Sequence, residues 1–214
     1  MNNNYYSKVF GWLFVGLAIT FVGGYLVSAQ PGVMAKIFSG SLYYIICIAE
    51  VVVAVILGVR IHKMQPSTAK ILYILYAFLT GLTFSSIFLI FSLSSITSVF
   101  LISSLLFGIF ALIGSKTKFD LSKIGTFLLM GLIGVIVLEI VNIFILSNTL
   151  NMGLCILSLI IFLGYTAYDI QRIGYMADSG EIDEKYAIYG AFQLYLDFIN
   201  IFIKLLRLFG KERD

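Results

Sequence analysis

Two aspartates interrupt apolar runs near the C-terminus of this chain: Asp169 in F-L-G-Y-T-A-Y-D-I-Q-R-I and Asp197 in F-Q-L-Y-L-D-F-I-N-I-F-I-K-L-L. A carboxylate in a stretch apolar enough for a bilayer is costly, so it is paired, hydrated or functional. Glu50 and Glu139 stand in similar stretches, and Asn142 follows Glu139 three residues on. Carboxylate oxygens are what hard Ca²⁺ prefers, several at a time and completed by carbonyls and water. Two carboxylates in contact cannot both ionise cheaply, so their protons leave in separate steps and the pair responds to pH without a histidine. Nitrogen and sulfur ligands are scarce here. Cys47 and Cys155 lack C-x-x-C spacing and read as packing residues, and the one histidine, His62, lies in the basic stretch R-I-H-K. That pattern argues against zinc, haem and iron–sulfur chemistry.

The elements that must position these groups are membrane spans. Of the residues, 60% are hydrophobic and 12% charged, and the mean hydropathy is +1.03, far from an ordinary globular domain or a nucleic-acid binder. About 20 apolar residues cross the hydrocarbon core. The chain divides into seven such stretches, approximately 9–29, 41–59, 70–91, 96–114, 124–147, 152–172 and 187–209. The expectation is an all-α polytopic membrane protein, a single integral membrane domain over 1–214 with seven transmembrane helices. Pro31 and Pro66 fall in joints, and the first apolar stretch is followed by no A-x-A signal, so it reads as a retained helix.

Lys and Arg gather on the cytoplasmic side of short loops. The joint after span two carries Arg60, Lys63 and Lys70, that after span four Lys116, Lys118 and Lys123, and that after span six Arg172 and Lys185. The joints after spans three and five have no Lys or Arg, and that after span one has Lys36. The N-terminus is therefore predicted to be cytoplasmic in a multi-pass cell-membrane protein. The C-terminal K-L-L-R-L-F-G-K-E-R-D breaks the charge rule if seven segments cross. Either the last segment crosses and tolerates a basic outer end, or it is re-entrant; a cysteine placed at Asp214 is the natural topological probe.

On the last segment, Gln193, Asp197, Asn200, Lys204 and Arg207 fall within an arc of about 80° at 100° per residue. A helix lying flat at the surface, or Lys and Arg snorkelling to an interface, explains Lys204 and Arg207. Asp197 is too short to snorkel, which favours a central helix turning this face, Asn200 included, toward a pore. Tyr165, Asp169 and Arg172 share one side of the preceding helix, where Asp169 either faces the same path or pairs with Arg172 at the membrane edge. Glu139 either joins the path or locks helices together, Glu50 lines the same cavity, and Arg60 is a counter-charge for an aspartate.

The segments I-G-S-K-T-K-F-D-L-S at 113–122, Y-D-I-Q-R-I at 168–173 and L-Y-L-D-F-I-N-I-F-I-K-L-L-R at 194–207 make the sequence resemble the transmembrane Bax inhibitor motif family, over most of its length. The resemblance implies six helices wrapped around the seventh and a calcium-permeable leak controlled by pH through two hydrogen-bonded aspartates, which fall on Asp169 and Asp197. Those two are then also the tentative Ca²⁺ ligands. It implies an acidic pathway residue at Glu50 and an arginine latch near the same helix's end. Alignment on Glu50 puts that arginine at Ile61, next to Arg60. No resident cofactor, catalytic residue or nucleic-acid partner is implied; calcium ions, protons and the lipid bilayer are the expected partners, and the sequence leaves the choice between a monomer and an oligomer open. Two other classes remain: a non-conducting membrane assembly or regulatory protein, and an intramembrane aspartyl protease. The protease class lacks its second motif, G-x-G-D; the nearest match is G-E-I-D at 180–183.

Overall fold

A computed structural model describes residues 3–178 and 183–213; Asp214 and the start of G-E-I-D lie outside them. The helices are α1 (Asn3–Ser28), α2 (Pro31–Phe38), α3 (Leu42–Arg60), α4 (Pro66–Phe84), α5 (Ile87–Ile90), α6 (Leu93–Lys116), α7 (Ser122–Ile145), α8 (Asn148–Asp178) and α9 (Glu184–Phe209). A 3-10 turn, Ile61–Lys63, extends α3, and no strand occurs among the described residues beyond an isolated bridge between Phe91 and Glu212. In lipid every backbone polar group must be satisfied within the chain, and helices do this segment by segment. Six stretches are long and apolar enough to cross a membrane: Asn4–Ser28, Leu42–Lys63, Pro66–Ile90, Leu93–Lys116, Ser122–Ile145 and Asn148–Asp178. Their outward faces are apolar, with Phe14 73%, Val59 74% and Phe144 82% exposed, as a lipid-facing surface requires.

The sequence reading needs correction at several joints. The first holds α2, whose Met34 and Ile37 are buried. Pro31 and Pro66 stand at helix starts, where a missing N–H costs nothing and the fixed φ suits the first turn. The span expected at 70–91 is found as Pro66–Ile90, but its helix is interrupted after Phe84, where the Ser85 and Ser86 hydroxyls donate to the Leu82 and Thr83 carbonyls at 2.5 and 2.8 Å and compete with the helix ladder. Helix α8 runs past 172 to Asp178, and α9 starts at Glu184 rather than 187.

The helices fall into two compact units. One holds α1 to α5 and α9 as far as Tyr195; the other holds α6 from Ser94, α7, α8 as far as Tyr175, and α9 from Leu196. In the first, α1 and α4 approach closely: a Cβ at Gly24 would lie 3.0 Å from the Gly81 carbonyl oxygen. There Thr20 donates to the Ala77 carbonyl at 2.9 Å and sits 2.6 Å from the Tyr195 hydroxyl. In the second, Val135, Leu154 and Ile161 form a buried cluster flanked by Leu128, Leu132, Leu150 and Tyr165. Phe198 packs edge-on to Phe100 and Phe107 at 5.3 and 5.7 Å. Helix α9 is buried on successive positions, including Leu194, Tyr195, Asp197, Phe198, Ile199, Ile201 and Phe202.

Candidate functional site

Asp169 on α8 and Asp197 on α9 both belong to the second unit, and each is 3% exposed. Helix α8 is held there by close backbone approach. A Cβ at Gly114 of α6 would fall 2.1 Å from the Ala167 carbonyl oxygen, and one at Gly125 of α7 would fall 2.7 Å from the Tyr168 ring. Only glycine lets these helices meet two residues, and one residue, before Asp169. The next turn is fixed by Gln171, whose Oε1 accepts from the Leu121 N–H at 2.9 Å and whose Nε2 donates to the Phe119 carbonyl at 2.8 Å. One side chain thereby ties the joint between α6 and α7 to α8.

The longer α8 also changes depth. Asp169 stands nine residues before the end of α8 and Asp197 thirteen after the start of α9. At 1.5 Å per residue the offset is roughly 6 Å, against roughly 10 Å from the sequence spans. The two carboxyls interact electrostatically, Tyr165 feels both, and Arg172 acts on Asp169. Asp197 Oδ2 is buried without a hydrogen-bond partner among the described residues. Buried polar atoms are nearly always paired, so this oxygen stands out. Asn200, one turn on, turns its amide back to the Leu196 carbonyl at 2.8 Å.

Lys204 does not snorkel. It is 8% exposed, and its ammonium meets Glu139 Oε1 at 2.7 Å across α7 and α9. Asn142, grouped with Glu139 by spacing, instead closes the end of α7: it donates to the Ser147 carbonyl at 3.3 Å and accepts the Ser147 N–H at 3.1 Å. This clamp spans Leu146, whose φ of 56° is left-handed and costs a leucine about 1 kcal/mol.

In the first unit, Glu50 of α3 accepts from Thr83 at 3.3 Å. Thr80 on α4 donates its hydroxyl to the Tyr76 carbonyl at 3.0 Å, and Tyr195 shares its hydroxyl hydrogen bond with Thr20. Arg60 is exposed at the end of α3 and forms no ion pair among the described residues. Outside the spans, Asp120 accepts the Ser122 N–H at 2.9 Å; the Ser122 hydroxyl first and that N–H second hold its carboxyl below the ordinary value. Among the described residues no three His, Cys, Asp or Glu side chains gather as a metal cluster.

Sequence reasoning missed the Gln171 clamp, the Glu139–Lys204 pair and the Thr20–Tyr195 contact. Gln171 carried one visible signal, a second polar residue two places after Asp169 in Y-D-I-Q. The other two join positions 65 and 175 residues apart, a distance no periodicity registers.

Comparison with known proteins adds an independent finding. The family described as inhibitor of apoptosis-promoting Bax1 matches residues 2–214. The chain is 37% identical to the inner membrane protein YbhL of Escherichia coli K12, over 98% of this chain and 92% of that protein. It is 40% identical to an uncharacterized protein of Borreliella burgdorferi, over 100% of this chain and 94% of that one. An uncharacterized membrane protein of Streptococcus pyogenes serotype M3 is 31% identical over 98% and 93%.

Proposed function

This chain belongs to the Bax inhibitor-1 family, and from that premise we propose that it is a pH-sensitive calcium leak of the membrane governed by Asp169 and Asp197. The observation that carries the proposal is the buried pair itself, two carboxyls each 3% exposed, one with an unpartnered oxygen. A carboxylate kept only for stability would have its oxygens satisfied. Held open in apolar surroundings, it takes a proton or a cation. Ionised, the pair offers oxygens to Ca²⁺, whose shell carbonyls and water complete; protonated, it loses that attraction. Asn200 is a further oxygen of the path, whereas the charge of Glu139 is taken up by Lys204.

The proposal needs no catalytic residue and no resident cofactor. It takes α9 as a seventh crossing, for which its burial is the support, and sets the N-terminus in the cytoplasm on the Lys and Arg of alternate joints. A cysteine at Lys118, with Cys47 and Cys155 changed to Ala, is then protected from an impermeant thiol reagent in intact cells. Labelling there would reverse the orientation. Arg60 acts as the latch: Arg60→Ala raises the leak near neutral pH more than at acid pH, and equal increases would remove it from the gate.

The deciding experiment is Ca²⁺ flux into liposomes holding this protein alone, at under one copy per vesicle, scanned from pH 5 to 9. A pH-dependent flux above empty vesicles is expected. Its absence under every condition sinks the transport proposal and leaves the non-conducting role.

A further inference from the structure

Where α7 stops and α8 begins, the second unit carries a cavity of about 680 Å³, apart from the carboxyl pair. One wall is apolar: Ile136, Ile140 and Ile143 lie on one face of α7 and are 46%, 53% and 67% exposed, on the side a membrane would cover. The other wall is polar, with Glu139, Asn142, Asn151 and Arg207. Its charges are unequal. The Glu139 carboxylate is matched by Lys204 at 2.7 Å, and both amide atoms of Asn142 are engaged by Ser147. Arg207 is exposed and forms no ion pair among the described residues. A second cavity of about 220 Å³ also opens on Arg207 and Asn151, with Asn148 beside them.

The cluster therefore presents one uncompensated guanidinium with amide donors at its rim and a stripe of isoleucine leading away from it. A guanidinium's fork matches two phosphate oxygens at once. Ile145 and Phe209 end α7 and α9 near this rim, as the ends of membrane-length helices do at the headgroup level, while the isoleucines continue along α7. Basic pockets between transmembrane helices take lipid headgroups, and the volume falls within the range of small-ligand sites. We propose that this cavity is a phospholipid site, with the phosphodiester on Arg207 and Asn151 and an acyl chain along Ile136, Ile140 and Ile143.

Phosphate oxygens also belong to free phosphate, and an apolar stripe accepts any chain, so three probes separate the sources. The full chain, purified in detergent, is titrated by native mass spectrometry with phosphatidylglycerol, with diacylglycerol of the same chains, and with inorganic phosphate. Phosphatidylglycerol should bind at least tenfold more tightly than either of the others. Arg207→Gln should weaken it on the order of tenfold to a hundredfold, as loss of a charged hydrogen-bonding group does. Lys118→Gln, in the joint between α6 and α7, should leave it unchanged. Ile140→Trp, which fills the apolar wall and spares the guanidinium, should also weaken lipid binding. Diacylglycerol equal to phosphatidylglycerol would reduce the site to an apolar groove, and displacement by phosphate at equal concentration would make it a soluble-anion site. Either result overturns the proposal, as does undiminished binding in Arg207→Gln. Arg207 is exposed, so that variant and the probe series decide the matter even if Ile140→Trp does not fold.

Discussion

Breaking the Glu139–Lys204 pair from its two sides should cost different amounts. The side chains are unequally placed: Lys204 is 9% exposed and Glu139 39%. Glu139→Leu leaves a buried ammonium without its partner. Stranding one member of a fully buried pair costs about 3–5 kcal/mol, and water reaching the Glu139 side lowers this to about 2–3 kcal/mol. Lys204→Met keeps most of the stem volume and leaves a carboxylate that water can reach, at about 1 kcal/mol. The expected gap of about 1–2 kcal/mol corresponds to roughly 2–8 °C in midpoint for a chain of this size. The double variant should melt near Lys204→Met alone, because the second change removes the stranded charge. Thermal unfolding of the four proteins in one detergent, followed by circular dichroism, measures all three comparisons. Equal losses from the two single changes, or a double variant as unstable as their sum, would refute the reasoning that Lys204 is held by its partner rather than by water.

Asp169→Asn and Asp197→Asn should each flatten the pH dependence of Ca²⁺ flux in liposomes, with the double variant adding little; additive effects would mean two independent sites. Gly114→Ala should destabilise by about 1–3 kcal/mol, because the new methyl meets the Ala167 backbone, whereas Gly108→Ala on the same helix, with nothing within 4 Å, should not; melting curves compare them. Asp120, held below its ordinary 3.8 by Ser122, stabilises the fold above that pH and loses the contribution as pH falls through the lowered value. Asp120→Ala should therefore melt below the wild type at pH 6 and approach it as pH falls from 3.8 through the lowered value, and a constant gap would assign the loss to the turn alone.

Hydropathy located the crossing helices to within a few residues, because a bilayer imposes both length and apolarity and the chain must show both. It failed where local competition decides. The Ser85–Ser86 break depends on hydroxyls that choose a carbonyl over solvent, and α2 is an eight-residue helix too short for a span. The extension of α8 beyond 172 passes through Gln171 and Arg172, polar enough to read as a joint. At the candidate site the cost of burying charge singled out Asp169, Asp197, Glu50 and Glu139, of which Asp169 and Asp197 are buried and Glu139 is paired with Lys204. What it could not give was the partner of each. Glu139 and Lys204 meet because α7 and α9 pack, and Gln171 reaches the joint before α7 because two glycines let α8 come close.

The polar face of α9 then divides into two parts with different physics. Lys204 lies two turns beyond Asp197 on nearly the same line, and its charge is cancelled at 2.7 Å by a carboxylate from α7. That half is fixed: moving α9 past α7 would strand an ion in an apolar setting. The half at Asp197 is the reverse, since the charge that acts on it is another carboxyl, Asp169, and one of its oxygens has no partner. A buried group without a counter-ion contributes nothing to stability that leucine would not exceed, which is the ground for proposing a role in which its state changes. Under the proposed function, the locked pair would supply a fixed reference, and the open pair the element whose protonation alters what the helix binds. A calcium leak sensitive to pH needs both: a frame that does not yield when charge appears within it, and a site where charge can appear.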